Sequence, residues 1–308
     1  MLGPGRGEAI TMRRRFLVVR NPAAGGARSP VIARTLSLLR DEGCELQELE
    51  TKPAGGAREV LAGQDLDSYD AVIAVGGDGT VKEAAEALIG RGPPLALIPA
   101  GTANVLAFEL GLPRTVEGLA AVIRLAPSEP VSLGRYEATG CSGYFILMAG
   151  AGFDARVVAG IDRALKRAIG KGAYIWSSVR QAVRRSAPPV RLRIDGAEFE
   201  AAWAIVSNVS RYAGDYVIAP EASLHHHSFQ VCLYDRAGLG AMLGFGLAMR
   251  RGELAGHRGY RVLEGRRVEI VAPRGDPLQV DGDPRGSLPV MIDRVPEALE
   301  LIAPPARR

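Results

Sequence analysis

Between Arg15 and Pro130, short apolar runs alternate with stretches of helical spacing. Phe16-Leu17-Val18-Val19 reads as a buried strand, ended by Asn21-Pro22 and the glycines Gly25 and Gly26. Val31 to Leu39 then repeats its apolar residues at helical intervals and stops at Gly43. Glu45 to Thr51 reads as a second strand, Ala57 to Leu61 as a short helix, and Ala71 to Val75 as a continuous buried strand. A helix over Val81–Ile89, a strand over Leu95–Ile98 and a helix over Val116–Leu125 complete the run. Strand and helix in strict alternation predict a parallel sheet with helices on both faces, a doubly wound α/β fold.

The rhythm changes after Pro130. Val190-Arg191-Leu192-Arg193-Ile194 alternates cleanly, and Asp195-Gly196 predicts a type I′ turn into a strand from Phe199 to Val206. Further strands are predicted over Phe229–Tyr234, Arg267–Val271, Leu278–Val280 and Val290–Ile292, with helical stretches near 155–185 and 238–251. Mostly antiparallel β of this kind suggests a second domain, a β-sandwich. The expected division is 13–130 for the α/β domain and 131–294 for the β-rich one. The segment 295–308 is expected to return to the first domain through a strand at Leu299–Ile302.

Composition narrows this picture only a little. A chain of 308 residues with 47% hydrophobic and 23% charged residues can bury two ordinary cores. A net charge of +4 excludes a polyelectrolyte, and no aromatic platform or helix-turn-helix pattern points to nucleic acid. Cys44, Cys141 and Cys232 are isolated, which fits a reducing cytoplasm. Met1–Arg15 lacks the apolar core of a signal peptide, and residues 1–11 read as an upstream extension. Leu239–Met249, the longest apolar stretch, is too short to span a bilayer, so any contact with lipid is expected from the water side.

Candidate chemistry gathers at three turns that follow strands. Gly76-Gly77-Asp78-Gly79-Thr80 lies between a strand and a helix, where glycines let backbone N–H groups approach a phosphate and the helix N-terminus adds partial positive charge. An aspartate inside an anion site makes sense if a divalent cation bridges carboxylate and phosphate. The loop is neither a Walker A sequence nor a GxGxxG fingerprint. The bland alternative is a tight turn in which Asp78 or Thr80 caps the helix. Asn21-Pro22-Ala23-Ala24-Gly25 closes the first strand, and Pro99-Ala100-Gly101-Thr102-Ala103-Asn104 the fourth. Singly these are ordinary turns; together they would line the crevice at the carboxyl edge of a doubly wound sheet.

With Gly152-Phe153-Asp154-Ala155, these elements in this order resemble the diacylglycerol kinase catalytic-domain family, which includes bacterial soluble lipid kinases and the sphingosine and ceramide kinases. The likeness runs from about residue 13 to residue 302. It implies a Rossmann-like first domain of the NAD kinase and diacylglycerol kinase type, with ATP bound between the domains. Asn21, Pro22, Ala23, Ala24, Gly25, Thr51, Gly76, Gly77, Asp78, Gly79, Thr80, Thr102 and Asn104 would contact the nucleotide, and Asp78 would act through Mg²⁺. By residue pattern alone, Asp281-Gly282-Asp283 is a hairpin turn. The resemblance makes Asp281 the first candidate, and Asp283 the second, for the base that takes the proton of a lipid hydroxyl.

The chain also departs from that family. Lys82 stands where asparagine is usual; it either reaches phosphate or, as the default, points to solvent. Val105 replaces a frequent aspartate. His225-His226-His227 replaces an acidic segment associated with an accessory Mg²⁺; a solvated loop is the first expectation there and zinc the second. The implied partner is a lipid at the membrane surface, diacylglycerol or a related alcohol, reached by a cytoplasmic, peripherally attached enzyme. Residues 156–185 interleave Arg156, Arg163, Lys166, Arg167, Lys171, Arg180, Arg184 and Arg185, against the one acid Asp162, with apolar side chains, as an interfacial segment or a solvated basic face would. Leu239–Met249 followed by Arg250-Arg251 is a second candidate. An exposed edge of the β-rich domain offers a route to a homodimer. The rival readings are a soluble metabolite kinase of the NAD kinase type and a nucleotide-binding regulator without catalysis.

Overall fold

A computed structural model describes residues 12–27, 29–51, 56–160 and 188–305. The chain divides into two compact units: residues 1–101, 110–129 and 299–308, and residues 102–109 and 130–298.

The first unit opens with β1 (Arg15–Arg20), α1 (Pro30–Asp41), β2 (Glu45–Glu50), α2 (Gly56–Ala62), β3 (Ala71–Gly76), α3 (Asp78–Leu88) and β4 (Leu95–Pro99). A short helix, α4 (Val105–Glu109), is counted with the second unit, and the chain returns with α5 (Val116–Leu125). β2, β1, β3 and β4 pair in that order, all parallel. Beyond β4, Leu301 from the end of the chain pairs parallel with Leu95. The sheet residues of β1 and β3 from Phe16 to Val19 and from Ala71 to Val75 are buried on both faces, which explains their unbroken apolar runs. α1 and α5 pack together over Phe16, Val18, Ile73 and Ile98, while α2 and α3 cover the other face. Local signals set the helix ends. Ser29 caps α1 by accepting from the Val31 amide ahead of Pro30, and Thr115 caps α5 by accepting from the Gly118 amide.

The second unit is a β-sandwich. Its strands are β5 (Ser128–Thr139), β6 (Cys141–Phe145), β7 (Met148–Ala151), β8 (Val190–Ile194), β9 (Ala197–Ala201), β10 (Trp203–Ser207), the hairpin β11 (Arg211–Tyr212) and β12 (Tyr216–Val217), β13 (Phe229–Tyr234), β14 (Tyr260–Gly265), β15 (Arg267–Ala272), β16 (Pro277–Val280) and β17 (Asp283–Ile302). One layer runs β14-β13-β10-β7-β16; in the other, β15 pairs with β8 and β17, β8 with β9, and β5 with β6 and β17. The twenty-residue β17 passes from β16 to β15 and then to β4. Alternate inward residues such as Val206, Phe229, Val231, Leu192, Ile270 and Ile292 fill the space between the layers. Among the described residues this unit also holds α6 (Phe153–Ala159) and α7 (Leu239–Arg251) besides α4, with α6 packing on β7, β10 and β16.

The predicted Asp195-Gly196 turn has positive φ at both residues, 47° and 89°, as type I′ requires. The predicted strand Phe199–Val206 is two strands, β9 and β10, interrupted at Ala202, so a continuous pattern concealed a break. Most of the predicted helical stretch 155–185 lies outside the described residues.

Candidate active site

The ends of β1, β3 and β4 are tied together in the first unit. Asn21 donates its amide N–H to the Val75 carbonyl at 3.0 Å, joining β1 to β3. The Asn21 side chain accepts from the Ala23 amide at 2.9 Å and donates to Thr80 Oγ1 at 3.2 Å, so one residue shapes its own turn and holds the next. Ala100 donates to the Gly76 carbonyl and Gly26 to the Ala100 carbonyl, each at 2.7 Å. The three glycine-polar turns thus form one main-chain structure at the carboxyl edge of the sheet.

The glycines of the central turn have different reasons to be glycine. A Cβ on Gly76 would stand 2.4 Å from Thr80 Oγ1, and one on Gly77 would stand 3.1 Å from Gly101 Cα. Packing therefore excludes a side chain at Gly76 and leaves little room for one at Gly77. Gly79 has nothing within 4 Å of a notional Cβ and no left-handed φ, so neither packing nor backbone demands glycine there. Open space above the first turn of an eleven-residue helix is what an approaching phosphate needs. α3 begins at Asp78, three residues before the apolar pattern predicts, because the loop itself makes the first turn.

Other predicted contacts differ in setting. Thr51, at the end of β2, is buried and donates its amide to the Arg20 carbonyl at 2.9 Å, next to Asn21. Lys82 does not point to solvent: it is 4% exposed, its Nζ 3.9 Å from Glu86 one helical turn on. An ammonium so placed is held by helix packing rather than free to sweep through water. Thr102 is exposed, and Asn104 adopts a φ of 49° just before α4; both are counted with the second unit.

In the second unit, Asp281 adopts a φ of 50° at the β16–β17 turn and donates its own amide to the Met148 carbonyl. Its carboxylate accepts from the amides of Ile146, Leu147 and Met148 at 2.9–3.0 Å. A proton placed on this carboxylate would weaken several charge-assisted bonds at once. Asp283 is half-buried, and among the described residues its carboxylate has no hydrogen-bond or ionic partner. Gln279, fully buried on β16, accepts from the Gly282 amide at 2.9 Å and so braces the turn from below.

Gln279 also lies beside Asp154, a carboxyl whose role the residue pattern did not reveal. Asp154 is 4% exposed, and its Oδ1 accepts from the Tyr212 hydroxyl at 2.5 Å. Burial raises its pKa, and the neighbouring Tyr212 and Gln279 side chains oppose that shift. Asp154 borders a cavity of about 160 Å³ whose other walls include Phe153, Trp203, Tyr234 and Phe245. A single carboxyl against aromatic walls suits an apolar ligand with one polar end. The available sequence signal was Gln279 itself, a polar residue inside the buried strand Leu278–Val280.

The His225–His227 segment is exposed, and among the described residues no group of three or more His, Cys, Asp or Glu side chains is placed to hold a metal. What anchors this loop is Arg294, which donates to the carbonyls of Ser223 and His226 at 2.8 and 2.7 Å and to Asn208 Oδ1. Its guanidinium lies 5.0 Å from the Phe229 ring centroid, and burial lowers its pKa to about 10.

Comparison with known proteins agrees with this two-part arrangement. The family model of the diacylglycerol kinase catalytic domain matches residues 15–136, and that of the YegS C-terminal NAD kinase beta sandwich-like domain matches residues 148–303. A relative from Mycobacterium tuberculosis named "Diacylglycerol kinase" is 28% identical over 290 residues, 92% of this chain and 93% of its own. A Pseudomonas putida protein named "Probable lipid kinase YegS-like" is 31% identical over 271 residues, covering 86% and 88%. The crystal structure of a diacylglycerol kinase from Bacillus anthracis shares the fold, with a TM-score of 0.74, 22% identity and coverage of 96% and 98%. On these matches the chain belongs to the family of diacylglycerol kinases and YegS-like proteins, and it is a lipid kinase.

Proposed function

We propose that this kinase transfers the γ-phosphate of ATP, with Mg²⁺, to a hydroxyl of diacylglycerol or a closely related lipid alcohol. The observation that carries the reading is the fused set of turns after β1, β3 and β4, with its open glycine at the N-terminus of α3. Asn21–Gly25, Thr51, Gly76–Thr80, Lys82, Thr102 and Asn104 are the nucleotide residues in this reading. Backbone N–H groups at the start of α3 hold phosphate oxygens, and the turns fix them before any chemistry begins.

A single carboxylate, Asp78, stands in the loop, which fits Mg²⁺ better than a metal needing a cage of protein ligands. Mg²⁺ keeps several waters and takes one or two carboxylates together with substrate phosphates. When bound it supplies neutralisation of the charge that develops on the phosphoryl oxygens.

The proton of the lipid hydroxyl goes to Asp283 in this proposal. Asp281, the first candidate implied by the family resemblance, has its carboxylate occupied by three amides and serves to hold the turn. Asp283 follows it by two residues and keeps its oxygens available to an incoming hydroxyl. The enzyme works from the water side as a peripheral protein; among the described residues no helix is long and apolar enough to cross a membrane.

The test is transfer of label from γ-labelled ATP in mixed micelles of diacylglycerol, other lipid alcohols and, separately, soluble NAD. Label in an organic-phase product that needs Mg²⁺ supports the proposal and ranks the alcohols. Label on NAD, or no label on any lipid while ATP still binds, overturns it.

A further inference from the structure

Five large hydrophobic residues of the second unit are exposed among its described residues, and all five belong to two neighbouring elements. Leu239, Leu243 and Leu247 on α7 are 42%, 67% and 49% exposed. Spaced four residues apart, they form one ridge along the helix. Tyr216 and Val217 on β12 are the other two, and β12 packs against α7. From Arg236 to Gly252 the chain holds three arginines, Arg236, Arg250 and Arg251, and no acidic residue. Arg250 and Arg251 stand exposed in the last turn of the helix.

The same helix reaches inward. Met242, Phe245, Gly246 and Met249, on the face next to the leucine ridge, line the cavity that holds Asp154 and Tyr212. The packing of the helix does not need the outward leucines, since it already buries Phe245 and Ala248 against its unit. A ridge of apolar side chains flanked by arginines matches the interface of an anionic bilayer, apolar below and negative at the headgroups.

We infer that α7 and the β11–β12 hairpin form the membrane-docking surface of this protein, with Leu239, Leu243 and Leu247 entering an anionic bilayer and Arg250 and Arg251 meeting its headgroups. The inference rests on the lipid-kinase reading for its purpose, since a lipid leaving the bilayer along α7 meets the cavity on the helix's adjacent face. Its evidence is independent of catalysis.

The test uses the full chain and vesicles of phosphatidylcholine with and without phosphatidylglycerol, free of ATP and of any acceptor alcohol. The intact protein should sediment with the anionic vesicles. Leu243→Ser with Leu247→Ser should weaken the partition about tenfold or more, because two leucines lose their transfer into the interface. Arg250→Gln with Arg251→Gln should weaken it on anionic vesicles alone, and salt should imitate that variant. Both positions are exposed, so thermal midpoints should match the parent. A Leu243→Cys variant bearing an environment-sensitive fluorophore should shift to the blue on vesicles, a reading that does not depend on the double variant's folding. Equal binding by parent and leucine variant, no binding by the parent, or a parent dimer that the leucine substitutions make monomeric would each overturn the inference. Because no transfer is measured, these results stand apart from success or failure of the kinase assay.

Discussion

In the first unit the turns after β1, β3 and β4 are joined mainly by main-chain groups, with glycines allowing the close approach of Gly77 to Gly101. In the second unit the Asp281–Asp283 turn is held by side chains of the turn and its own strand: the Asp281 carboxylate on the three distant amides of residues 146–148, and Gln279 beneath. The difference follows from what each surface presents. A phosphate cradle needs small residues and oriented N–H groups, so bulk is excluded. A turn that is to offer one carboxylate to a substrate, as proposed for Asp283, needs a fixed backbone, and the Asp281 carboxylate does the fixing.

The contrast is broken most severely by removing charge. If Asp78 holds the proposed Mg²⁺ against the phosphates, Asp78→Asn should lower phosphoryl transfer by about 100-fold or more with little change in thermal midpoint. Asp283→Asn should fall by a similar factor of about 100, again with the midpoint preserved. Transfer assays beside thermal unfolding check both, and full activity in Asp283→Asn would return the proton to Asp281.

Asp281→Asn separates the roles within the turn. An amide cannot satisfy three N–H donors as a carboxylate does, so unfolding should become easier by about 2–3 kcal/mol. Denaturant titration reads this directly. A stability equal to the parent's would remove the clamp from the account.

Glycine substitutions sharpen the comparison on a smaller scale. Gly77→Ala forces the contact with Gly101 and should destabilise by about 1–3 kcal/mol. Gly79→Ala meets open space within a helix and should be neutral or stabilising by up to about 1 kcal/mol, yet raise the KM for ATP several-fold. If Gly79→Ala leaves ATP affinity unchanged, the open space above α3 is not where the phosphates lie.

The smallest effect concerns pH. Burial raises the Asp154 carboxyl, so the folded chain keeps a proton that the unfolded chain releases around its ordinary value of about 4. Stability contributed at this site is therefore greatest below that value. It declines as the pH rises towards the folded pKa and is level above it. Asp154→Asn should flatten this decline and be the more stable form at neutral pH, as thermal midpoints measured across acidic to neutral pH would show.

Some of this was legible in single stretches of sequence. The buried runs Phe16–Val19 and Ala71–Val75 announced central parallel strands, because a strand covered on both faces has no polar positions to alternate. Asp195-Gly196 announced its turn because few residue pairs tolerate two positive φ values. The break between β9 and β10 was hidden because Ala202, where it falls, is no turn former and neither glycine nor proline stands near it. Lys82 was misjudged for a related reason: a lysine near a helix start looks solvent-facing unless the position of Glu86 and the packing around it are known.

The sequence by itself determined the strand-helix alternation of the first unit and the glycine-polar turns, since these depend on backbone preferences within a few residues; Asp281 and Asp283 became candidates only through the family resemblance. Tertiary structure alone decided that Asp281 is tied by amides more than 130 residues away, that Arg294 anchors the histidine loop, and that α7 turns leucines outward while lining a cavity with Phe245. Those facts depend on which distant groups meet, and no local propensity encodes the partner of a hydrogen bond across the fold.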